Sequence, residues 1–558
     1  MAHPVRIRAR ANDFCAQPLR NRAPRLHSWA RLRYRFSSSP PGPLCCAPNF
    51  RKTAGILDLS LISDLLFEAR AVAQSLVEMT AGPHIRVGVT GLSRAGKTVF
   101  ITALIEHLTK AASPALRGRR NTLPVFRAHA EGRLIGGTLE PQPDDAVPRF
   151  AYEDHIAALA GPGGRLEARH WPQSTRRISE LRLRLYFDQK TGLRPGRQSL
   201  TIDIVDYPGE WLLDLPLLGK SYAQWSRETF IASASAVRAP LAAEWRRLTA
   251  NIDPRGKANE DDARRGAELF TNYLRACRAD EYHFSSLPPG RFLMPGDLEG
   301  SPALTFVPLA LDEGEAYPLD SLAAMMERRY EAYKAHVVKP FFRDHFARLD
   351  RQIVLVDALA ALNAGPAAMR DLEIAITDVL AAFRAGRSNL LSGLFRPKID
   401  KILFAATKAD HLHHTSHDRL EAILRLLTAK AIARVETVGA VVDVIALAAV
   451  RATREAKVGG YDEPALEAVI GTPLDGERIG DEVFDGKAEA AIYPGELPSD
   501  PEAVFHGEAR TVKPSEIDYR FVRFRPPIAV RGEDGSVFPP PHIRLDRALQ
   551  FLIGDRLA

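Results

Sequence analysis

The feature that most constrains the fold of this chain is a glycine-rich octapeptide, GLSRAGKT, at residues 91–98. Residues 84–90 before it have the apolar character of a buried strand, and residues 98–108 after it have the pattern of a helix. A strand, a glycine-rich loop and a helix in this order are typical of the loop whose backbone N–H groups surround nucleotide phosphates. An ordinary glycine-containing turn is the alternative, and this placement argues against it.

The side chains and the backbone of the octapeptide predict its chemistry. Lys97 would bridge the outer phosphates, and the hydroxyl group of Thr98 would bind Mg²⁺. Arg94 could stabilise charge during phosphate transfer, or it could simply face solvent. The residues predicted to contact the nucleotide here are Ser93, Arg94, Ala95, Gly96, Lys97, Thr98 and Val99.

A second motif, DYPGE at residues 206–210, follows the apolar segment at residues 200–205. Asp206, at the end of a strand, can hold Mg²⁺ through water, and Gly209 can present its N–H to the γ-phosphate. Glu210 occupies the position where many GTPases keep a glutamine that orients the attacking water.

A hydroxyl group ahead of the neighbouring antiparallel strand is expected to complete the Mg²⁺ shell. Thr175 lies three residues before the strand predicted to begin at Ile178, and Ser174 is the competing hydroxyl. Either residue could instead lie in a solvated loop. We predict Mg²⁺ ligation by Thr98, Thr175 and Asp206. We predict roles in catalysis for Lys97, Thr175, Gly209 and Glu210.

The third motif, TKAD at residues 407–410, follows a short buried segment at residues 402–406. The carboxylate of Asp410 can accept hydrogen bonds from the ring N–H and the exocyclic amine of guanine, whereas adenine presents the wrong pattern. Lys408 would lay its aliphatic stem on the base, although the same motif could simply begin a helix. Base contacts are predicted for Thr407, Lys408 and Asp410, and for the backbone of Ala448 and Ala449, where no Ser-Ala-Lys sequence is present.

Short apolar segments alternate with helical patterns, which predicts an α/β fold with a mostly parallel sheet covered on both faces. Turn residues between segments 178–187 and 200–205 predict an antiparallel hairpin. The predicted divisions are a disordered basic tail at residues 1–55, a first part of the nucleotide-binding domain at 56–210, a helical insertion at 211–345, a second part of that domain at 346–455, and a β-rich extension with a C-terminal helix at 456–558.

Positive charge is concentrated at the start of the chain. The formal net charge is +7, whereas residues 1–52, with ten Arg, one Lys and Asp13, contribute +10. Residues 53–558 therefore carry a formal charge of −3, which gives no electrostatic argument for a nucleic-acid partner. The tail is interpreted either as a transit peptide or as translated upstream sequence from a start codon assigned too early.

The cysteine content and the hydropathy of the chain indicate the cellular compartment in which we expect it. Three of the four cysteines lie in the tail, so Cys277 alone remains in the body and no disulfide framework is predicted. The longest apolar runs, such as residues 437–450, are shorter than the roughly 20 residues that span a bilayer. We expect a cytoplasmic protein, with peripheral association at the inner membrane left open.

A cluster of histidines follows the third motif at positions His411, His413, His414 and His417. Their spacing permits metal binding, but no cysteine joins them, and Thr415 with Ser416 suggests the start of a helix. We therefore expect these histidines to serve in loop packing or at an interface.

The motifs resemble those of the YcjX family of bacterial P-loop proteins. The matching segments are residues 91–98, 206–211 (DYPGEW), 407–412 (TKADHL) and 471–474 (GTPL). The resemblance covers roughly residue 56 to the C-terminus. It implies a P-loop nucleotide hydrolase, and it links the chain with stress responses and with a membrane-protein partner. The family is often labelled as an ATPase, but the TKAD motif favours GTP.

The sequence thus predicts in-line attack of water on the γ-phosphate of GTP, with Mg²⁺ bound, to give GDP and phosphate. A regulatory or stress-linked switch is the expected role. One alternative is an ATPase of the same fold, in which Asp410 merely caps a helix. The other is a nucleotide-dependent binding module with negligible hydrolysis, whose insertion engages a partner.

Overall fold

A computed structural model describes part of the chain. It covers residues 83–558 apart from residues 93, 111–121, 143, 191–194, 313, 382–398, 438, 459–464, 507–518 and 532–536. The predicted basic tail and the predicted phosphate contact Ser93 lie outside the described residues.

The apolar segments that flank the three motifs form one seven-stranded sheet. Its strands are β1 (His84–Gly91), β2 (Leu134–Glu140), β3 (Ser179–Gln189), β4 (Gly196–Asp206), β5 (Arg351–Val356), β6 (Lys401–Ala406) and β7 (Val441–Ala446). Their order is β2-β3-β4-β1-β5-β6-β7. The five strands from β4 to β7 in that order run parallel, whereas β3 is antiparallel to both β2 and β4. The α/β fold and the β3–β4 hairpin predicted from the sequence are confirmed.

Helices cover both faces of this sheet. In chain order they are α1 (Lys97–Lys110), α2 (Arg127–Ala130), α3 (Tyr152–Ala160), α4 (Tyr222–Ser233), α5 (Arg238–Ala250), α6 (Glu260–Arg278), α7 (Gly290–Leu293), α8 (Leu322–Tyr333), α9 (Lys339–Asp344), α10 (Ala358–Ala364), α11 (Pro366–Ala381), α12 (His417–Glu436) and α13 (Leu545–Ile553). None of these helices combines the length and the apolar character that a membrane crossing needs.

The parallel strands divide their side chains between two cores, because successive residues of a strand point to opposite faces. Ile353 and Leu355 of β5 pack in the core that contains α1 and α13. Val354 and Val356 pack on the other face, with α10, α11 and α12. Since the strands are parallel, β1, β4 and β6 end at the same edge of the sheet, and the three motifs that follow them meet there.

The chain between β4 and β5, residues 207–350, is here called the helical segment. Its core is aromatic: Trp225 stacks on Tyr330 with ring centroids 5.3 Å apart and packs against Phe306. This core also includes Val205 and Tyr207 at the end of β4, so the segment packs directly against the sheet. Helices fill most of the predicted insertion, whose division from the nucleotide-binding domain remains a prediction.

The C-terminal part of the chain forms small antiparallel sheets. Strands β8 (Arg454–Val458), β9 (Leu466–Gly471) and β12 (Ala490–Ile492) form a three-stranded sheet in the order β12-β9-β8, here called the C-terminal sheet. Strands β10 (Arg478–Ile479) and β11 (Glu482–Val483) form a hairpin.

The closing helix α13 packs on the main sheet, although the sequence grouped it with the β-rich extension. Arg351 of β5 is almost fully buried and bonds the Leu552 carbonyl oxygen at 2.5 Å and Asp555 Oδ1 at 2.6 Å. A cation at the C-terminal end of a helix stabilises its exposed carbonyl groups. The last helix is therefore part of the main core.

Candidate nucleotide-binding site

The glycine-rich loop between β1 and α1 adopts a conformation that few residues tolerate. Gly96 has φ = 82° and Arg94 has φ = 63°, both in the left-handed region. Glycine adopts this region without penalty, whereas a non-glycine residue there is strained, and such strain is concentrated at functional sites. The N–H of Phe100 bonds the Gly96 carbonyl oxygen at 2.9 Å, so the loop leads directly into α1.

Lys97 is buried at the first position of α1. Its Nζ donates to the Gly91 carbonyl oxygen at 3.1 Å, across the loop. Burial lowers the pKa of Lys97, and the neighbouring carboxylates Glu210 and Asp206 oppose that effect. The lysine thus lies inside the loop, next to acids from the second motif.

Gly209 of the second motif lies directly against this loop. A Cβ added at Gly209 would collide with the Gly91 carbonyl oxygen and lie 2.8 Å from Lys97 Nζ. Only glycine allows the two segments to approach so closely. The backbone of residue 209 is therefore adjacent to the lysine that is predicted to hold the outer phosphates.

Thr98, Thr175 and Asp206, here called the metal trio, come together from three separate elements. Thr98 Oγ1 lies 3.1 Å from Thr175 Oγ1, and Thr175 Oγ1 donates to Asp206 Oδ2 at 2.6 Å. The competing hydroxyl of Ser174 is exposed and makes no described contact with this trio. Of the two hydroxyls weighed from the sequence, the structure brings Thr175 to the predicted metal site.

The carboxylate of Asp206 is suited to a cation. Its Oδ1 is buried and has no hydrogen-bond partner in the described residues. Burial raises the pKa of Asp206 to about 6, against the opposing effect of Lys97. Mg²⁺ prefers oxygen ligands, and two hydroxyls with one carboxylate form such a set. The metal trio therefore fits Mg²⁺ by the chemistry of its donors.

Glu210, the predicted water-orienting residue, is buried and paired with an arginine that sequence reasoning missed. Arg278 Nη2 lies 2.5 Å from Glu210 Oε1. Arg278 is the last residue of α6, in the helical segment, and no sequence motif marks it. A cleft beside this pair is lined by Leu92, Arg94, Glu210, Leu213, Arg278 and His283.

Arg94, which was expected either to stabilise charge or to face solvent, forms an ion pair with Asp280. Asp280 lies two residues beyond Arg278 and is also 3.3 Å from Arg523 Nη1. The Arg94 side chain is partly exposed, but it is held by the helical segment. Arg278 at the end of α6 and Asp280 just after it thus contact the candidate site through two ion pairs.

The third motif lies at the same sheet edge and is strained at its lysine. Lys408 has φ = 61°, and its Nζ lies 2.5 Å from Asp357 Oδ2. The N–H of Thr407 bonds the Val356 carbonyl oxygen at 2.9 Å, which continues the pairing of β6 with β5. The motif is therefore fixed by the end of the neighbouring strand.

Asp410 is buried and bonded to the chain that follows β7. Its Oδ2 accepts the N–H of Ala452 at 2.8 Å, and its carbonyl oxygen accepts the hydroxyl group of Thr453. Each carboxylate oxygen can accept more than one hydrogen bond, so this contact leaves capacity for a ligand.

One predicted base contact needs correction. The N–H of Ala448 donates to the Ile543 carbonyl oxygen at 3.1 Å, and the N–H of Ile543 returns a bond to Ala448 at 2.8 Å. The Ala448 N–H is therefore already used by a distant segment of the chain. Ala449 stays as the predicted backbone donor to the base.

Comparison with known proteins agrees with this architecture. The sequence model of the YcjX-like family, DUF463, matches residues 85–557. The chain belongs to this family. The match includes all three motifs and the metal trio, and it confirms the resemblance drawn from the motifs alone.

Two YcjX-family relatives are similar over nearly their whole length. The Ras-like GTPase YcjX of Escherichia coli (strain K12) is 38% identical over 494 residues, which cover 87% of this chain and 98% of the relative. The Ras-like GTPase YcjX of Shewanella oneidensis is 36% identical over 523 residues, which cover 90% of this chain and 100% of the relative.

Proposed function

We propose that this protein binds guanine nucleotides with Mg²⁺ and hydrolyses GTP to GDP and phosphate, as a nucleotide-dependent switch. The observation that carries the proposal is the arrangement around Asp206. A buried carboxylate oxygen, for which the described part of the chain offers no hydrogen-bond partner, lies beside two hydroxyl groups, next to a strained glycine-rich loop with a buried lysine. The names of the two relatives, both Ras-like GTPases, support the same activity.

The phosphate-binding roles fall to residues already in contact. Lys97 would exchange its bond to the Gly91 carbonyl oxygen for bonds to the outer phosphates, where charge-assisted hydrogen bonds are strong. The backbone of Gly209 lies close to Lys97, and its N–H would donate to the γ-phosphate. The N–H groups of Arg94 to Val99 would face the remaining phosphate oxygens.

The metal trio would hold Mg²⁺, Thr98 and Thr175 through their hydroxyls and Asp206 through water. When bound there, Mg²⁺ would supply charge neutralisation for the phosphate oxygens. Thr175 precedes β3, and its Oγ1 lies 3.1 Å from Thr98 Oγ1. As a ligand of Mg²⁺, it would be held in place when a γ-phosphate is present and released after hydrolysis. That dependence would give the protein a switch.

Glu210 would orient the attacking water, and Arg278 would position Glu210. The arginine binds carboxylate oxygen Oε1, and we assign Oε2 to the water. Glu210 is buried and Arg278 is only partly exposed, so solvent competes little for this carboxylate and the ion pair can hold its orientation. Arg278 would thus act on hydrolysis through Glu210 rather than on nucleotide binding.

Asp410 would select guanine by accepting the N1–H and the exocyclic amine. An ATPase of the same fold is the alternative. The hydrogen bond from the Ala452 N–H to Asp410 favours this alternative if the carboxylate serves only to hold the chain in place.

The test is competition between GDP, GTP, ADP and ATP for the site, together with phosphate release from GTP and from ATP. We expect guanine nucleotides to bind more tightly and GTP to be hydrolysed. Preference for adenine nucleotides would establish the ATPase, and tight GTP binding without release would establish a binding module.

A further inference from the structure

Of the four histidines after the third motif, two pack against nearby groups of the chain and two face the C-terminal sheet. The ring of His411 packs edge-on against Phe524, and His417 Nε2 bonds the Ala409 carbonyl oxygen at 2.9 Å. His413 and His414 instead face the C-terminal sheet, with their ring centroids 4.3 Å apart.

Two glutamates of that sheet meet these histidines because of the strand register. Glu455 of β8 pairs with Val469, and Glu467 of β9 pairs with Lys457. Residues two apart on a strand share a face, so Glu455 and Glu467 are diagonal neighbours on one face. Their carboxylates point to the same pair of rings.

His413, His414 and Glu455 lie close enough together to bind one metal ion. His414 Nδ1 lies 2.7 Å from Glu455 Oε2, and His413 Nε2 lies 3.9 Å from the same oxygen. The second distance is too long for a hydrogen bond. One nitrogen from each histidine and one oxygen of Glu455 all lie within 4.8 Å of one another.

The groups behind these atoms orient them toward a common point. His413 is buried, and its other nitrogen, Nδ1, lies 3.1 Å from Glu467 Oε2 and 3.0 Å from Thr415 Oγ1. A carboxylate that accepts the second N–H is the usual support of a metal-binding histidine. Arg451 Nη2 holds the other oxygen of Glu455, Oε1, at 3.1 Å.

We propose that His413, His414 and Glu455 form a binding site for a divalent transition metal, with Zn²⁺ as the best-matched ion. Imidazole nitrogens and a carboxylate oxygen are ligands that Zn²⁺ favours, at about 2.0–2.2 Å, with water in the fourth position. Glu467 is the positioning residue that fixes the tautomer of His413.

The metal site would link the loop that carries Asp410 to the C-terminal sheet. Asp410 lies three residues before His413 and already bonds Ala452 and Thr453, just ahead of β8. A metal held between residues 413–414 and β8 would close the same junction from its other side. Metal binding does not require the GTPase activity proposed above, so the two proposals fail independently.

The test is metal titration of the full chain after treatment with a chelator. We expect one equivalent of Zn²⁺ per chain, and with Co²⁺ a visible absorption band typical of nitrogen and oxygen ligands. The His414→Ala variant removes an exposed ligand with little risk to the fold, and Glu455→Gln removes the carboxylate charge. Both should weaken Zn²⁺ binding by tenfold or more.

Glu467→Gln should weaken binding by about 10–100-fold, since loss of an outer-shell partner has effects of that size. His336→Ala removes an exposed histidine elsewhere and serves as the matched control, for which no change is expected. Equal Zn²⁺ affinity in wild type, His414→Ala and Glu455→Gln would overturn the proposal. So would binding of less than one equivalent in the wild type.

Discussion

The candidate site has a phosphate end, around Lys97 and Asp206, and a base end, around Lys408 and Asp410. The two ends differ in how far their polar side chains are already bonded to other groups of the protein. At the phosphate end, Asp206 keeps a buried oxygen that has no hydrogen-bond partner among the described residues, and burial raises the pKa of this carboxyl group to about 6. At the base end, Lys408 bonds Asp357, and Asp410 bonds Ala452. The phosphate end therefore has a polar atom that a bound metal ion or nucleotide can partner, whereas the polar side chains of the base end are already bonded within the protein.

We therefore expect the phosphate end to determine how tightly a nucleotide binds and the base end to determine which base is accepted. A ligand at the phosphate end supplies missing partners, so substitutions there should change affinity strongly. A ligand at the base end adds to existing bonds, so substitutions there should change which base is accepted.

Lys97→Ala should weaken triphosphate binding by at least about 100-fold, because charge-assisted hydrogen bonds to phosphate contribute roughly 1.5–3 kcal/mol each. Calorimetry with a non-hydrolysable GTP analogue measures the loss. Lys110→Ala, at the other end of α1, is the control and should bind normally. Wild-type affinity in the Lys97 variant would remove this lysine from the site.

Asp206→Asn should weaken Mg²⁺-dependent binding by about 10–100-fold, the range seen when a metal's supporting carboxylate is lost. In the wild type, Mg²⁺ affinity should also fall as the pH drops through about 6, because Asp206 then takes up a proton. The asparagine variant should lack that part of the pH dependence. Identical pH profiles for the two proteins would contradict the assignment.

In the ligand-free protein, the same substitution, Asp206→Asn, should be favourable: it should stabilise the fold. A raised folded pKa means that the ionised form is disfavoured on folding, so stability is lost as pH rises from 3.8 through about 6. Above that pH, Asp206→Asn should raise the free energy of unfolding by up to about 3 kcal/mol. Denaturant unfolding at pH 4 and pH 8 measures this. A stabilisation that is larger at pH 4 would have the wrong sign.

Arg278→Ala should slow GTP hydrolysis about tenfold while leaving GTP affinity nearly unchanged, since its contact is with Glu210. Glu210→Ala should have a similar effect, and the double variant should be no slower than either single one. Arg275→Ala, an exposed residue one turn earlier in α6, is the control. Additive losses in the double variant would show that Arg278 acts independently of Glu210.

Local sequence patterns predicted the parts of the site that depend on neighbouring residues. The strand before Gly91, the helix after it and the β3–β4 hairpin are set by apolar periodicity and turn residues, and the structure contains them. Strand β2 was not predicted. Its Gly136 and Gly137 weaken the strand pattern, and the structure needs Gly137 because a Cβ there would lie 2.8 Å from the Leu108 carbonyl oxygen.

Contacts between distant residues could not be predicted from one sequence. Arg278 meets Glu210, and Ile543 occupies the N–H of Ala448, only because the tertiary fold brings these segments together. Neither pair has a motif of its own. The same reason explains why the closing helix was grouped with the extension instead of the main sheet.

One substitution tests directly whether Asp410 selects guanine. Asp410→Asn places an amide donor where a carboxylate oxygen stood. Guanine would then face donor against donor, which leaves buried polar groups unpaired at a cost of about 1–3 kcal/mol each. Xanthine carries a carbonyl where guanine carries its amine, so the variant and xanthine are complementary.

The measurement is the affinity of wild type and Asp410→Asn for GDP, XDP and ADP, by competition at fixed Mg²⁺. We predict that the wild type prefers GDP over ADP, and that the variant loses GDP and gains XDP while its phosphate contacts persist. A variant that keeps its guanine preference, or a wild type that prefers ADP, would contradict the claim and leave the ATPase in its place.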